Sequence, residues 1–188
     1  MNVEELRISG SWLITPRRHE DDRGWFQEWF KYSELLNATG YDFSPVQANI
    51  SQSKRGTIRG IHYSTAAVGQ AKLVTVLAGE IDDYVVDLRP TSSTFGQWER
   101  IRLSAENGKT VLLSAHLGHA FHALSDNTVV NYLVTAEYNP TAELGITPFC
   151  PQLAIDWADT GGFSVAPKDS EAPHLFAQRD AGKLPDTQ

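Results

Sequence analysis

The sequence is poor in the features that mark a secreted or membrane-spanning protein. Its 188 residues include one cysteine, Cys150, so no disulfide can form within the chain, and a thiolate-ligated structural metal is disfavoured. No run approaches the ~18 apolar residues that a membrane-spanning helix needs. The N-terminus has no basic segment followed by an apolar one, so it does not resemble a signal peptide. These absences predict a cytoplasmic protein with no membrane contact.

Basic residues are also scarce relative to acidic ones. The chain has 16 Lys and Arg against 23 Asp and Glu, which gives a formal net charge of −7. This balance argues against nucleic acid or an anionic membrane surface as a partner. An anionic ligand would have to be bound by a local cluster of Arg, Lys and His side chains.

What the sequence does contain is a series of short segments rich in Val, Ile, Trp, Tyr and Phe, separated by turn residues. Helices are expected at Tyr32–Ala38 and within Glu171–Gly182, and residues 184–188 are expected to fray. This pattern predicts one all-β domain, residues 1–188, built as a sandwich or barrel of jelly-roll type. The predicted strands are Ser11–Thr15, Trp25–Phe30, Val46–Ser51, Lys72–Leu77, Ile81–Leu88, Trp98–Leu103, Thr110–Ser114, His119–Leu124 and Val129–Thr135.

The segment from Lys54 to Tyr63 is the most informative part of the chain. It places Arg59 and His62 three residues apart among apolar neighbours. Because side chains alternate along a strand, we expect Arg59 on one face and His62, with Gly60, on the other. Gly60 would then leave open space where a ligand could approach the imidazole. The alternative is that His62 is an ordinary core histidine and Arg59 a surface cation.

Polar side chains also occur in strand-like segments, although a barrel interior is normally apolar. Gln47 and Asn49 alternate and so share a face. Lys72 begins an apolar run, Tyr132 lies within another, and His119 and His122 flank Phe121 in a third. Singly, each has an ordinary explanation, such as a solvent-facing amide, a lysine at a strand end or a packed tyrosine. Together they could converge in one cavity, a common place for a small-molecule site.

A series of short motifs runs in order over nearly the whole chain. The motifs are Asp22–Glu28, Val46–Ser51, Arg59–Tyr63, Gln70–Val74, Asp87–Arg89, Ser93–Trp98, Leu103–Asn107, Gly118–Phe121, Ala136–Pro140, Ile155–Trp157 and Pro167–Pro173. No single motif is diagnostic, but the ordered series resembles the dTDP-4-dehydrorhamnose 3,5-epimerases and related nucleotide-sugar epimerases. The resemblance implies a cupin-type jelly-roll β-barrel or sandwich with a few short flanking helices, a homodimer, and no cofactor.

The resemblance implies a dTDP-linked 4-keto-6-deoxyhexose substrate, inverted at C3 and C5 to give dTDP-4-dehydro-L-rhamnose. The C4 ketone acidifies the hydrogens on both neighbouring carbons, so inversion needs a base, a stabilised enolate and an acid on the opposite face. His62 matches the family's base, and Asp169 matches the carboxylate that orients it. Lys72 matches the cation beside the developing oxyanion. Tyr132 matches the general acid. A tyrosine keeps its proton near pH 7, so it can donate that proton to an enolate.

The remaining matches are substrate-binding positions. Arg23 and Arg59 match diphosphate or nucleotide contacts, where guanidinium groups suit phosphate oxygens. The family's N-terminal segment is expected to lend residues to the neighbouring site of the dimer. The complete set of matched binding positions is Arg23, Glu28, Gln47, Asn49, Arg59, Lys72, His119, Glu143 and Lys168.

Departures from the family pattern keep a second specificity open. Ala48 and Ile50 flank Asn49 where many rhamnose-pathway members have Asp and His, and Gly118 precedes His119 where alanine is commoner. We expect these positions to affect the pocket wall and to leave the proposed base, acid and lysine unchanged. The alternatives are a mono-epimerase acting at C3 or C5 only, a cupin ketoisomerase, or a catalytically silent nucleotide-sugar binding module.

A metal-dependent cupin is a further alternative, raised by His116, His119 and His122. A spacing of three is unsuited to a strand, because His119 and His122 would face opposite sides. Metal-binding cupins use a His-x-His pair, which this chain lacks. We therefore expect no metal, and expect the histidines to serve as acid–base groups or hydrogen-bond donors.

Overall fold

The computed structural model describes residues 1–185. They form two large β-sheets, a separate two-stranded hairpin and short helices. The strands are β1 (Asn2–Glu5), β2 (Ser11–Thr15), β3 (Arg18–Asp21), β4 (Gly24–Gln27), β5 (Gln47–Ser53), β6 (Thr57–Ser64), β7 (Lys72–Ala78), β8 (Glu80–Asp87), β9 (Trp98–Ser104), β10 (Thr110–Leu113), β11 (Leu117–Ala123), β12 (Thr128–Val134), β13 (Glu143–Gly145) and β14 (Ser164–Val165). The helices are α1 (Tyr32–Thr39), α2 (Pro167–Ser170) and α3 (Leu175–Asp180).

Consecutive strands cross repeatedly from one sheet to the other. The first sheet has the order β1-β2-β10-β7-β12-β5, and the second has the order β13-β6-β11-β8-β9, with β14 added beside β6. Within residues 1–185, every pairing is antiparallel except that of β14 with β6. This arrangement confirms the predicted all-β jelly-roll fold.

Alternate side chains of the two sheets interlock to form the core. Val74 and Val76 of β7 point inward from the first sheet, with Val130 of β12 paired to Val76. Ile81 and Val85 of β8 meet them from the second sheet. All five are 4% exposed or less, and burying each side chain stabilises the fold by roughly 1.5–3 kcal/mol. The packing also fixes the strand register, because a slip of one residue would turn these side chains outward.

Each sheet is also covered on its outer face. Tyr84 on the second sheet packs against Leu153 and Leu184 of the C-terminal segment. Leu73 on the first sheet packs against Leu35 of α1. Packing of the C-terminal segment on the second sheet therefore also holds the short α2 helix near β6.

The helices agree only in part with prediction. Helix α1 confirms the one predicted over Tyr32–Ala38, and α3, which begins at Leu175, confirms the one predicted to open near Pro173 within Glu171–Gly182. The helix does not extend back toward Glu171, because a proline disfavours helical angles in the residue before it. Helix α2 lies outside the predicted helices and opens with proline at its first position. No helix within the described residues is long and apolar enough to cross a membrane.

Short strands and the C-terminus also differ from prediction. The strand predicted over Trp25–Phe30 ends at Gln27, because β3 pairs with β4 over four residues only. Strands β1, β3, β13 and β14 lie outside the predicted strands; each has two to four residues and depends on pairing rather than on its own composition. Leu184, expected to fray, is buried, and residues 186–188 lie outside the described part of the chain.

Strand β6 carries an extra residue relative to β11 beside His62. His62 pairs with His119, whereas Arg59 pairs with Phe121, so three steps on β6 match two on β11. Such a bulge turns the following side chain to the other face. The prediction that Arg59 and His62 face opposite sides is therefore wrong, since both line one cavity between the sheets.

Gly60 lies within this irregular stretch and has a φ of +122°. A Cβ at this position would lie 2.6 Å from the Cβ of Ala120 and 2.6 Å from the carbonyl oxygen of His119. The open space expected beside the imidazole is therefore occupied by β11. Glycine is required here because it alone combines this backbone angle with so close an approach of the neighbouring strand.

We predict that Gly60→Ala lowers the free energy of unfolding by about 1–3 kcal/mol, because the added methyl group must displace β11. The matched control is Gly162→Ala, since Gly162 has a φ of +132° but no atom within 4 Å of the place that an alanine methyl group would take. Urea denaturation of both variants measures the difference. Equal losses at the two positions would show that backbone angle alone, and not strand contact, selects glycine at position 60.

Candidate active site

A cavity of about 160 Å³ lies between the two sheets. We call it the central cavity. Strands β6 and β11 contribute side chains from the second sheet, and β5, β7 and β12 contribute them from the first. Five of the predicted site residues therefore converge from separate segments of the chain. The lining residues are Ser51, Arg59, His62, Lys72, His119, Phe121 and Tyr132.

His62 is held by a carboxylate from the C-terminal segment. Its Nε2 lies 2.8 Å from Oδ1 of Asp169, which α2 carries, and the backbone N–H of Gly60 donates to Oδ2 at 3.2 Å. Asp169 is buried. When Asp169 accepts the proton on Nε2, Nδ1 is the ring nitrogen that remains free to take a proton from a ligand.

The charge of Asp169 is maintained despite its burial. Burial raises the pKa of this carboxyl, but the hydrogen bond and charge of His62, the Gly60 N–H and the charge of Lys168 together bring it below its ordinary value. The group is therefore ionised near neutral pH. An ionised partner at 2.8 Å stabilises the imidazolium that His62 becomes after accepting a proton.

Lys72 and Tyr132 face this pair from the first sheet. Lys72 is 7% exposed, and burial lowers its pKa, while the charges of Glu143 and Asp83 oppose that effect. Burial also raises the pKa of Tyr132, with the charge of Glu143 adding to the rise and that of Arg59 opposing it. Tyr132 therefore keeps its phenolic proton through neutral pH. The cavity combines a basic nitrogen on one wall with a proton donor on the other.

Two larger clefts, of about 520 and 590 Å³, share His62 with the central cavity, and both are also lined by Asp169 and Lys168. Arg59 borders the first cleft and is held by Ser53 Oγ and the Gln52 carbonyl, each at 3.1 Å. The two clefts are large enough to take a ligand that extends beyond the central cavity. Cations placed along one of them suit a phosphorylated extension.

Glu143 lines the second of these clefts. Its Oε1 accepts a hydrogen bond from Nε2 of Gln70 at 2.9 Å, which fixes the carboxylate within the wall. Its negative charge acts to raise the pKa of both Lys72 and Tyr132. Glu143 is thus electrostatically part of the site although it lies outside the central cavity.

Gln47 and Asn49 continue the β5 wall beyond Ser51 without lining the central cavity. They hydrogen-bond to each other at 2.8 Å, and Gln47 Oε1 also accepts from the backbone N–H of Tyr138 at 3.0 Å. Asn49 is the register partner of Tyr132. The predicted shared face of the two amides is therefore present, and it lies next to the proposed acid.

Arg23 and Glu28 are not brought to this site within one protomer. The Arg23 side chain is 89% exposed at the tip of the β3–β4 hairpin and pairs with Asp21 at 2.6 Å. Glu28 lines a separate pocket of about 220 Å³, together with residues such as Arg17 and Lys31. The structure therefore does not bring these two residues to the central cavity.

Comparison with known proteins identifies the family. The family model described as dTDP-4-dehydrorhamnose 3,5-epimerase matches residues 5–177. The chain belongs to the dTDP-4-dehydrorhamnose 3,5-epimerase family. The resemblance of the ordered motifs is thereby confirmed.

Individual family members are similar over nearly their whole length. A dTDP-4-dehydrorhamnose 3-epimerase of Streptomyces niveus is 43% identical, over 98% of this chain and 89% of that protein. A dTDP-4-dehydrorhamnose 3,5-epimerase of Mycolicibacterium smegmatis is 40% identical, over 98% and 91%. The crystal structure of a 3,5-epimerase of Legionella pneumophila with dTDP-4-keto-L-rhamnose has a TM-score of 0.94 at 38% identity, covering 100% of this chain and 98% of the other.

The three closely spaced histidines of this family member do not act as a group. His119 lines the central cavity, whereas His122 packs on the other face of β11 against Trp157 and Phe163, as the spacing predicts. His116 lies in the turn before β11. Among residues 1–185, no group of three or more His, Cys, Asp or Glu side chains is placed to hold a metal ion.

The epimerase-family site also contains residues that the sequence reasoning missed. His119 Nε2 lies 2.7 Å from Oδ2 of Asp83, which is fully buried in β8. The available signal was the acidic content of the strand-like segment Ile81–Leu88, which contains Asp82, Asp83 and Asp87. Ser51 and Phe121 complete the cavity wall, and no property of either residue in sequence distinguishes it from ordinary strand residues.

Proposed function

We propose that the chain is a dTDP-4-dehydrorhamnose 3,5-epimerase. It inverts C3 and C5 of dTDP-4-dehydro-6-deoxy-D-glucose to give dTDP-4-dehydro-L-rhamnose. The observation that carries the proposal is the placement of the His62–Asp169 pair on one wall and Tyr132 on the opposite wall of one cavity, with Lys72 also lining it. Relatives at about 40% identity are 3,5-epimerases.

The first step is removal of a proton next to the C4 ketone. Nδ1 of His62 takes the proton, and Asp169 stabilises the resulting imidazolium through Nε2. The electron pair of the broken C–H bond moves onto the ketone oxygen and forms an enolate. Lys72, a cation in a mostly buried position, stabilises this oxygen where little water competes.

The second step returns a proton to the same carbon from the opposite face. Tyr132 projects from the first sheet, across the cavity from His62 on the second. Its raised pKa keeps the phenolic proton available near neutral pH. Donation from Tyr132 reforms the ketone with inverted configuration. Before the second inversion, His62 releases its proton to solvent and the Tyr132 phenolate regains one. The same two steps at the other carbon then complete the 3,5-inversion, and the substrate's own ketone serves as the electron sink, so the proposal includes no cofactor.

The nucleotide and diphosphate of the substrate are assigned to the clefts around the central cavity. Arg59 and Lys168 border one cleft, and both suit phosphate oxygens. The family resemblance assigns His119 to the sugar or diphosphate. It assigns Gln47, Asn49 and Glu143 to further substrate contacts on the neighbouring walls. A cytoplasmic location, where nucleotide sugars are made, is part of the proposal.

Inversion at C3 alone is a second candidate function. The Streptomyces niveus relative, at 43% identity, is a dTDP-4-dehydrorhamnose 3-epimerase. The catalytic set proposed above would serve either outcome, because both start with the same enolate chemistry. What differs is whether the cavity releases the sugar after one inversion or holds it for two.

The test is incubation with dTDP-4-keto-6-deoxyglucose in deuterated water, followed by NMR. We expect deuterium at both C3 and C5 with inverted configuration. Deuterium at C3 alone would support the 3-epimerase candidate. Tight binding without any exchange would contradict the enzyme proposal and leave a nucleotide-sugar binding module.

In the same assay, His62→Ala should lower the exchange rate by at least about a hundredfold, because the base is lost. The dissociation constant for dTDP, measured by calorimetry, should change little. The matched control is His174→Ala, since His174 is exposed and is not among the residues that line the three cavities. Exchange that persists in His62→Ala would remove His62 as the base.

We also propose that the active form is a homodimer in which the β3–β4 hairpin of one protomer reaches the partner's site. The hairpin forms its own two-stranded sheet and exposes Trp25 and Phe26, which are 58% and 65% exposed. Apolar surface of this kind is typical of an interaction site. It also carries Arg23 and is followed directly by Glu28, two predicted contacts that line neither the central cavity nor the two clefts that share His62 with it.

Mixed dimers test this arrangement. His62→Ala and Arg23→Ala chains are co-expressed with different affinity tags, and the mixed dimer is isolated. If Arg23 serves the partner's site, one of the two sites in a mixed dimer is intact, and about half of the activity returns. Each variant alone should be strongly impaired. A mixed dimer without activity, a fully active Arg23→Ala homodimer, or a monomeric protein in solution would contradict the proposal.

A further inference from the structure

Asp83 is a carboxylate at a core position of the second sheet. It is fully buried in β8 between Ile81 and Val85, which alternate with it and belong to the apolar core. Its Oδ2 lies 2.7 Å from Nε2 of His119. Its Oδ1 makes no hydrogen bond to any residue within 1–185. His119 is therefore the one hydrogen-bond partner of this carboxylate in the described structure.

The stability of the fold does not explain such a pair. Removing a carboxylate from water is costly, and well-packed apolar side chains in place of a buried pair are often neutral or stabilising. Val74, Val130 and Phe121 already form an apolar interior around this level of the barrel. The pair therefore points to a role in the cavity, where the His119 ring is one of the lining groups.

The geometry around His119 repeats the geometry around His62. The two histidines are register partners on adjacent strands, and both line the central cavity. In each, Nε2 is bound to a buried carboxylate, at 2.8 Å for Asp169 and 2.7 Å for Asp83. The carboxylate accepts the proton on Nε2, so Nδ1 of each ring is the nitrogen left for the ligand. The charge of Asp83 also acts on Lys72, the proposed oxyanion cation.

We propose that Asp83 is a positioning residue for the epimerase reaction: it holds His119 in the orientation and tautomer that present Nδ1 to the sugar or diphosphate of the substrate. The proposal rests on the proposed function, because it assigns His119 a contact with that substrate. Asp83 itself touches neither substrate nor reacting atoms, and its positioning effect is exerted through the imidazole.

The first test reads the tautomer of His119 directly. In protein labelled with ¹⁵N at histidine, two-bond proton–nitrogen correlations distinguish an Nε2–H ring from an Nδ1–H ring. At a pH where the ring is neutral, we expect Nε2–H in the unsubstituted protein. Asp83→Asn should shift the ring toward Nδ1–H, since an amide N–H₂ can donate to a bare Nε2. An Nδ1–H ring in the unsubstituted protein would overturn the proposal.

The second test is a double-mutant cycle on the exchange assay. Asp83→Asn should lower kcat/KM about tenfold to a hundredfold, the value of a hydrogen bond to a charged group. In a His119→Ala background the same substitution should have almost no further effect, because Asp83 acts through the ring. Equal effects in the two backgrounds would mean that Asp83 only supports the fold, and would overturn the proposal.

Two controls separate the possible failures. Asp83→Asn preserves side-chain shape, and its thermal unfolding midpoint reports any loss of folded protein. If the unsubstituted chain catalysed no exchange, the proposed function would fail, while the tautomer of His119 could still be read. If exchange occurred and the cycle was additive, only the role of Asp83 would fail.

Discussion

The hydrogen bond between His62 and Asp169 is the contact on which the proposed chemistry depends. It joins residues 107 positions apart, and it forms only because the C-terminal segment packs on the outer face of the second sheet and returns to β6. Asp169 is fixed from two sides, since Gly60 also donates to it from the irregular stretch of β6. The packing of the C-terminal segment, the irregular strand and the orientation of the base are therefore one structural unit.

The two-sheet architecture supplies the second requirement of epimerisation, which is access to both faces of one carbon. The second sheet carries His62 and His119, each bound to its own carboxylate, and the first carries Lys72 and Tyr132. A sugar between the sheets would meet a base on one side and a proton donor on the other. Burial raises the pKa of Tyr132, so this residue keeps the proton that it is to donate. The contacts of Asp169 lower its pKa, so it stays ionised beside the base.

Much of this could be predicted from sequence, and the exceptions have physical causes. Short strand-like segments identified the all-β fold, and the ordered motifs identified the family. The alternation of side chains along a strand gave the wrong faces for Arg59 and His62. The extra residue in β6 is defined by how β6 pairs with β11, which the sequence of β6 alone does not reveal. The same pairing turned the expected space at Gly60 into a close contact. Asp83 was missed because its importance depends on its contact with His119. That contact forms only when β8 and β11, which are distant in sequence, pair in the sheet.

The central claim is that proton removal and proton return come from opposite walls of the cavity. The most direct measurement is the ratio of solvent deuterium incorporation to net inversion in Tyr132→Phe. Because His62 and Asp169 are intact in this variant, the account predicts that incorporation continues with retained configuration while inversion falls sharply, so the ratio rises. A loss of incorporation and inversion by the same factor would contradict it, since Tyr132 would then be needed for proton removal itself.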